Sequence, residues 1–519
     1  MYSVISTAAI HGVESRFVCV EADVSDGMPY FEMVGFLSSE VREAKERVRT
    51  ALKNSGLALP PKRITVNLSP IHLRKEGNRY DLPVAVAVLA ALEVIRTPDL
   101  REWIVVGEVG LDGSVHRSDG VLPIVCAAKE AGYKGCILPM DNLREGQAVD
   151  DIEIIGVSSI KDAVSFLNCP LTERALWRPS VNPAEEAEDE EVQASEDALD
   201  FSDICGQLVV KRACEVAVAG MHNFLMVGPP GSGKSMIASR IPTILPKPSV
   251  EEQMEITKIQ SIAGQLGKAS GLIKRRPFRS PHHTISVQGM VGGGKVPKPG
   301  EITLAHGGVL FLDELPEFQK SVLETLRQPL EEGAVSIVRA SGHYRFPADM
   351  QLVCAMNPCS CGYYPDRNRC HCSVQQVGKY LGKISRPLLD RIDICVEAPR
   401  ISFEELKRSG EGESSASIRK RVLAAHRIQQ KRYHNLPISF NAQLTGKDVE
   451  TYCVLNNALR EEMGILFDRM NLTARGYHKI LKVARTVADL RGSETIEKQD
   501  LAEAITYKGI DEKFFGEVV

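Results

Sequence analysis

Residues 228–235 read Gly-Pro-Pro-Gly-Ser-Gly-Lys-Ser. Gly228, four residues, then Gly233-Lys234-Ser235 is the spacing of a phosphate-binding loop. Glycines at Gly228, Gly231 and Gly233 let backbone N–H groups turn inward on an anion, and Pro229, Pro230 and Ser232 complete the loop. Lys234 would reach the β- and γ-phosphates, and Ser235 would hold Mg²⁺. A second set follows at Gly308–Glu314, Gly-Val-Leu-Phe-Leu-Asp-Glu. Asp313 can hold Mg²⁺ through water and Glu314 can polarise an attacking water, so the two motifs together make hydrolysis of ATP chemically complete. Alone, the first could be a glycine turn and the second a solvated acidic loop. A third group, Cys359, Cys361, Cys370 and Cys372, offers four thiolates that could close a tetrahedral Zn²⁺ site, with His371 as a spare ligand. C-x₂-C is the commoner zinc spacing, so free thiols or a redox pair remain alternatives.

These residues need particular elements behind them. Asn223–Val227 is an apolar run able to be a buried strand, and Met236–Ile241 can open the helix after the loop. Val309–Leu312 reads as a central parallel strand buried on both faces, with Asp313 and Glu314 at its carboxyl end, where ligands of open α/β sheets bind. Gly333–Phe346 reads as a β-hairpin with Ser341-Gly342 in its turn. Before this core, residues 1–170 carry strand-like runs at Arg16–Ala22, Arg63–Leu68 and Trp103–Val109, and helical patterns at Glu40–Ser55, Asp81–Ile95 and Leu122–Ala131. After a second break at Ser409–Ser417 the chain reads as all helix, at Ile418–Tyr433, Gly446–Glu462, Thr473–Leu490 and Lys498–Ile505, with Thr473 as a cap. The reading is a 1–170 domain, an acidic tether at 171–200, an α/β core at 201–400 and a helical lid at 401–519.

Composition sets the frame. The chain has 519 residues, 43% apolar and 25% charged, as soluble globular proteins do. No apolar run reaches membrane-spanning length, and the first residues lack the pattern of a signal peptide. Thirteen cysteines in such a chain predict reduced thiols and a cytoplasmic setting. Residues 185–200 hold nine acidic residues and no basic one; without them the net charge moves from −4 to +5. The folded parts are thus mildly basic, which permits contact with nucleic acid. Basic residues gather at Lys274, Arg275, Arg276 and Arg279, and again at Arg419, Lys420, Arg421, Arg427, Lys431 and Arg432, the second set spread around a helix that is as easily solvated as DNA-binding.

The core resembles AAA+ ATPases of the magnesium-chelatase clade, specifically the ComM-like (ComM/YifB) family. The resemblance lies in RPFRSPHH at Arg276–His283, GGGK at Gly292–Lys295, PGEITLAH at Pro299–His306, GVLFLDELPEF at Gly308–Phe318, NPCSCG at Asn357–Gly362, RPLLDRID at Arg386–Asp393 and TARGYHKILKVARTVADL at Thr473–Leu490. It implies an AAA+ P-loop α/β core with a parallel sheet and a C-terminal helical lid. It also implies that Asn357 is the sensor-1 residue, Arg391 an arginine finger for the next subunit's ATP, and Arg475 the sensor-2 arginine on the γ-phosphate. Arg386 competes for the finger. A six-membered ring follows from the same resemblance, as does a DNA helicase promoting branch migration when incoming strands recombine during natural transformation. In this clade the hairpin before sensor 1 projects toward the pore, which makes Arg339, His343 and Arg345 candidates to track DNA without sequence preference; a hairpin making only subunit contacts is the alternative. Chelatase-like remodelling of a protein partner is the competing function.

Residues 1–170 resemble the protease domain of Lon, an α+β fold shared with ribosomal protein S5, at VGEVGLDGS (Val106–Ser114) and GVLPIVCAAKEAGYKGCILPMD (Gly120–Asp141). A Lon-type site needs a serine at one helix start and a lysine on a second helix. The matching places read Arg79-Tyr80-Asp81-Leu82-Pro83 and Gly120-Val121-Leu122-Pro123, with neither residue. A non-proteolytic module is therefore expected, with Ser69 and Lys75 as a stray pair unsupported by spacing.

Overall fold

A computed structural model describes residues 1–174, 177, 199–267, 271–339, 342–403 and 412–515. The tether expected at 171–200 falls outside these at 175–176 and 178–198, as do Ser341 in the hairpin turn and residues 409–411 of the second break.

The N-terminal part is built on a seven-stranded mixed sheet in the order Tyr30–Val34, Arg63–Ser69, Glu14–Ser25, Tyr2–His11, Trp103–Val105, Gly135–Pro139, Glu153–Val157. The first strand, Tyr2–His11, stands at its centre, and sequence reasoning did not predict it. It pairs antiparallel with Glu14–Ser25 over its whole length. Its residues show only partial alternation, because the strand is buried over most of both faces. The helix Asp81–Ala91 is buried nearly all round, so it carries no amphipathic stripe.

The core holds a five-stranded parallel sheet in the order Phe278–Arg279, Val309–Leu312, Gln351–Met356, Phe224–Val227, Ile394–Glu397. Both expected site strands are present, buried at every position. In register, Val227 stands beside Met356, and Leu312 beside Cys354. The residues just past three strands, Gly228, Asp313 and Asn357, therefore emerge along one sheet edge, which is what assembles the site.

The C-terminal part is helical. Thr473 caps Ala474–Arg491 as expected, its side chain accepting from Gly476 N–H. The helix expected over Gly446–Glu462 is in fact two, Gly446–Tyr452 and Asn457–Arg469, because Asn456 takes extended backbone and caps the second through Leu459 N–H. The last helix runs further than the sequence pattern suggested, Lys498–Phe515.

N-terminal part and core are clasped together. Gly120 N–H donates to Ser261 O at 3.0 Å, and the Ser261 hydroxyl donates to buried Glu145. Arg117 reaches Gly267 O at 3.1 Å. A second contact joins the N-terminal hairpin turn to the core hairpin: His11 stacks on Tyr344, ring centroids 4.3 Å apart.

Candidate active site

The phosphate-binding loop joins the strand Phe224–Val227 to the helix Lys234–Ile244. Gly228 is required by its neighbour: a Cβ there would lie 2.2 Å from Ala398 O. Gly231 and Gly233 have φ of +75° and +81°, the left-handed region glycine adopts without strain. The helix N-terminus adds its partial positive charge to the loop's N–H groups.

Lys234 is buried, and its ammonium donates to Gly228 O at 2.8 Å, Pro229 O at 2.9 Å, Ser232 Oγ at 3.3 Å and Asn357 Oδ1 at 3.3 Å. Burial pushes its pKa below the usual lysine value, and the nearby carboxylates of Asp313 and Glu314 work against that shift. Ser235 Oγ donates to Asp313 Oδ2 at 2.5 Å. Serine and carboxylate thus meet where a hard cation with oxygen ligands would sit. The cleft bounded by Pro230 to Met236, Asp313, Glu314, Met356 and Asn357 encloses about 340 Å³.

Glu314 follows Asp313 in a left-handed conformation, φ 51° and ψ 46°, its N–H bound to Asp313 Oδ1 at 2.8 Å. The turn sends its carboxylate out of the strand into the cleft mouth, with its side chain 58% exposed. Two participants escaped sequence reasoning. His283 Nδ1 lies 3.6 Å from Glu314 Oε2; it stands in the RPFRSPHH stretch, but nothing in spacing brings it to a residue 31 positions on. Gln207, at φ 53°, donates from one amide to Ser232 O at 3.2 Å and Pro399 O at 2.6 Å, tying the phosphate loop to the segment after the last strand.

Arg391 and Arg475 do not line this cleft. They come together elsewhere, on Glu331. Arg391 donates to the Glu331 carboxylate and to Pro387 O, and Arg475 approaches the same carboxylate at 3.6 Å. Arg475, expected on the γ-phosphate as sensor 2, is placed on Glu331 and not among the residues lining this cleft. Arg386 is exposed in the first turn of the short helix Arg386–Leu389.

The four cysteines converge, their sulfurs all within 4.8 Å of one another. The expected hairpin forms, Ala334–Arg339 paired with Gly342–Pro347, and Arg339, His343 and Arg345 are all exposed. The other basic groups are divided: Lys274, Lys420, Arg427 and Lys431 stay exposed, and others are engaged by the fold. Arg276 binds Glu252 and two carbonyls, Arg279 pairs with Glu301, Arg421 with Glu215 and Glu413, and Arg432 with buried Asp489. In the N-terminal part, buried Asp81 at the first helix start is gripped by Arg47 at 2.8 and 2.9 Å. At the second, Leu122 N–H donates to Glu145 at 2.9 Å, within the clasp to the core. The buried Lys75 ammonium donates to Pro70 O, not to Ser69.

A parallel sheet with a phosphate loop on one central strand and an Asp-Glu pair on another, followed by a helical lid, defines an ATPase of the AAA+ class. Models of the magnesium chelatase subunit ChlI match residues 20–142 and 200–406, and the model of its C-terminal region matches 412–508. Competence protein ComM of Haemophilus influenzae is 40% identical over 514 residues, 98% of this chain and 97% of its own length. Protein YifB of Escherichia coli is 40% identical over 512 residues, again 98% and 97%. Lon protease 2 of Bacillus subtilis is 27% identical over 164 residues, 30% of this chain and 29% of its own. The chain belongs to the ComM/YifB family, within the magnesium-chelatase group of AAA+ ATPases. No helix among the described residues is long and apolar enough to cross a membrane.

Proposed function

We propose that the chain is an ATP-driven homo-hexameric ring motor that moves on DNA in the cytoplasm, a helicase promoting branch migration as incoming strands recombine in natural transformation. Its units are a non-proteolytic Lon/S5-like domain (1–170), a tether (171–200), the ATPase core (201–400) and the lid (401–519). The fit of the cleft to ATP with Mg²⁺ rests on Lys234, held by the loop's own carbonyls at the cleft floor, and on the Ser235–Asp313 pair. Mg²⁺, when bound, supplies charge neutralisation of phosphate oxygens. Lys234 supplies the fixed cation, Glu314 accepts a proton from water, and Asn357 orients that water. Arg391 and Arg475 act on a neighbour's nucleotide, and the four cysteines hold Zn²⁺.

The observation that carries the DNA reading is the hairpin. Its Arg339, His343 and Arg345 stay exposed on one element; of the other basic groups Arg276, Arg279, Arg421 and Arg432 are spent on carboxylates, and Lys274, Lys420, Arg427 and Lys431 are exposed. The 40% identity to a competence protein supports the same reading. Backbone tracking demands sequence-tolerant, salt-sensitive binding. A forked-duplex unwinding assay with ATP and Mg²⁺, run at two salt concentrations, tests it. Arg339→Ala with Arg345→Ala should keep ATP hydrolysis and lose strand displacement. The matches to chelatase models over core and lid favour a second reading, a motor that remodels a protein partner. Hydrolysis without DNA binding at low salt would select it.

A further inference from the structure

Nucleotide chemistry leaves the cysteine cluster unused. Cys359 and Cys361 follow Asn357 closely, and Cys370 and Cys372 return after a polar, turn-rich loop. The sulfur separations are 3.3 Å for Cys359–Cys361, 3.8 Å for Cys359–Cys370 and 3.6 Å for Cys361–Cys370. Four thiolates around one ion at zinc–sulfur bonds of about 2.3 Å need sulfurs ~3.8 Å apart. The cluster already has that size. Tyr364 N–H donates to Cys359 Sγ at 3.4 Å, a backbone contact that holds this sulfur in the cluster. A tetrathiolate zinc centre keeps net negative charge, and cations stand by. Arg367 donates to Cys372 O at 3.1 Å and lies over the Tyr364 ring, and Arg369 lies over Tyr363.

We propose that Cys359, Cys361, Cys370 and Cys372 bind one Zn²⁺, releasing their thiol protons, and that this centre positions both the water-orienting Asn357 and the phosphate-binding loop. The second part rests on the ATPase reading. Its basis is contact. The first ligand lies two residues beyond Asn357, whose carbonyl oxygen Oδ1 accepts from Lys234. Gly362, next to the second ligand, has φ +86° and packs so closely on the phosphate loop that a Cβ would lie 2.4 Å from Pro230 Cδ. The metal-tied loop is therefore a wall of the ATP cleft. Its four ligands act as positioning residues and touch no reacting atom.

The test uses the full-length protein purified without added metal. Elemental analysis should find about one zinc per chain, and the Cys370→Ser, Cys372→Ser double variant should find none. In that variant nucleotide affinity should stay within about threefold, because Lys234 and Ser235 remain, while kcat falls tenfold or more (roughly), as in Asn357→Ala. Gly362→Ala keeps all four ligands, so it covers the case in which the double variant does not fold. It should retain zinc and a wild-type circular dichroism spectrum yet lose turnover. Wild-type protein without zinc, its four thiols all titratable or paired as disulfide, overturns the metal centre. Zinc in the wild type with unchanged kcat in both variants overturns the positioning role. Zinc-loaded wild type that hydrolyses no ATP overturns the ATPase reading and the positioning role with it, while the metal centre stands.

Discussion

Glu314 holds a backbone conformation that costs a residue with a Cβ about 1 kcal/mol or more. The fold sustains it because that turn separates the roles of two adjacent carboxylates: Asp313 turns back to Ser235 and to Glu314 N–H, and Glu314 points to the cleft mouth. Lys234→Ala should abolish turnover, by about a hundredfold or more, since it removes the charge facing the phosphates. Glu314→Gln should differ in kind, binding ATP tightly and holding it unhydrolysed, as filter-bound labelled nucleotide would show. Near-normal turnover in both would refute the site. His283→Ala should slow hydrolysis with little change in KM if its ring steadies Glu314, and equal losses in KM and kcat would argue against that role. The loop and the Asp-Glu pair were legible from sequence because each works through local backbone at fixed spacing. His283 and Glu331 were not, because only the fold brings them to Glu314 and to the two arginines.

At the scale of elements, the lid is held to the core by buried polar contacts that no sequence pattern displays. Core His222, held by Asp393 at 3.1 Å, reaches lid Thr486 at 2.8 Å, and within the lid Asn441 binds both Thr486 and Asp489 at 2.9 Å. Helices of the lid were readable from their period, but the break at Asn456 was not, because a cap depends on the backbone that tertiary packing imposes. The strand Tyr2–His11 was missed for a related reason, since burial on both faces erases alternation. His426, on the first lid helix, is buried against the core helix Leu208–Gly220 and donates to Val218 O at 3.1 Å. Burial lowers its pKa to about 4, the Val218 hydrogen bond opposing only part of the shift. The folded state thus keeps it neutral while the unfolded chain protonates near pH 6.5 (roughly). Its contribution is complete above that pH and is lost as pH falls toward 4, about 3 kcal/mol in all. His426→Gln, which keeps a donor but cannot titrate, should flatten the fall in melting temperature between those pH values. Parallel acid profiles for the two proteins would refute the assignment.

At the scale of the whole molecule, the arginines expected to act on nucleotide stand apart from the cleft. The cleft has its lysine, its carboxylates and Asn357, but among the described residues no arginine lines it. Arg391 and Arg475 are instead gathered on Glu331. An arginine acting on transferring phosphate is worth about 10³-fold or more in rate, so the proposed function requires the two arginines held away from this cleft to serve a neighbour's nucleotide. The proposed head-to-tail ring would supply that neighbour at every interface. The clasp from Gly120 and Glu145 to Ser261, and the His11–Tyr344 stack, place the N-terminal part against the same core that carries the hairpin. Arg391→Ala should leave nucleotide binding near wild type and cut hydrolysis by about a hundredfold or more. Mixed in equal amounts, Arg391→Ala and Lys234→Ala chains form interfaces at random, and about a quarter of these pair an intact cleft with an intact arginine. Turnover should then return toward about a quarter of wild type, although each variant alone is inactive. Recovery with Arg386→Ala in place of Arg391→Ala, and none with Arg391→Ala, would assign the finger to Arg386. Full activity of isolated Arg391→Ala chains, independent of protein concentration, would show that each subunit hydrolyses alone.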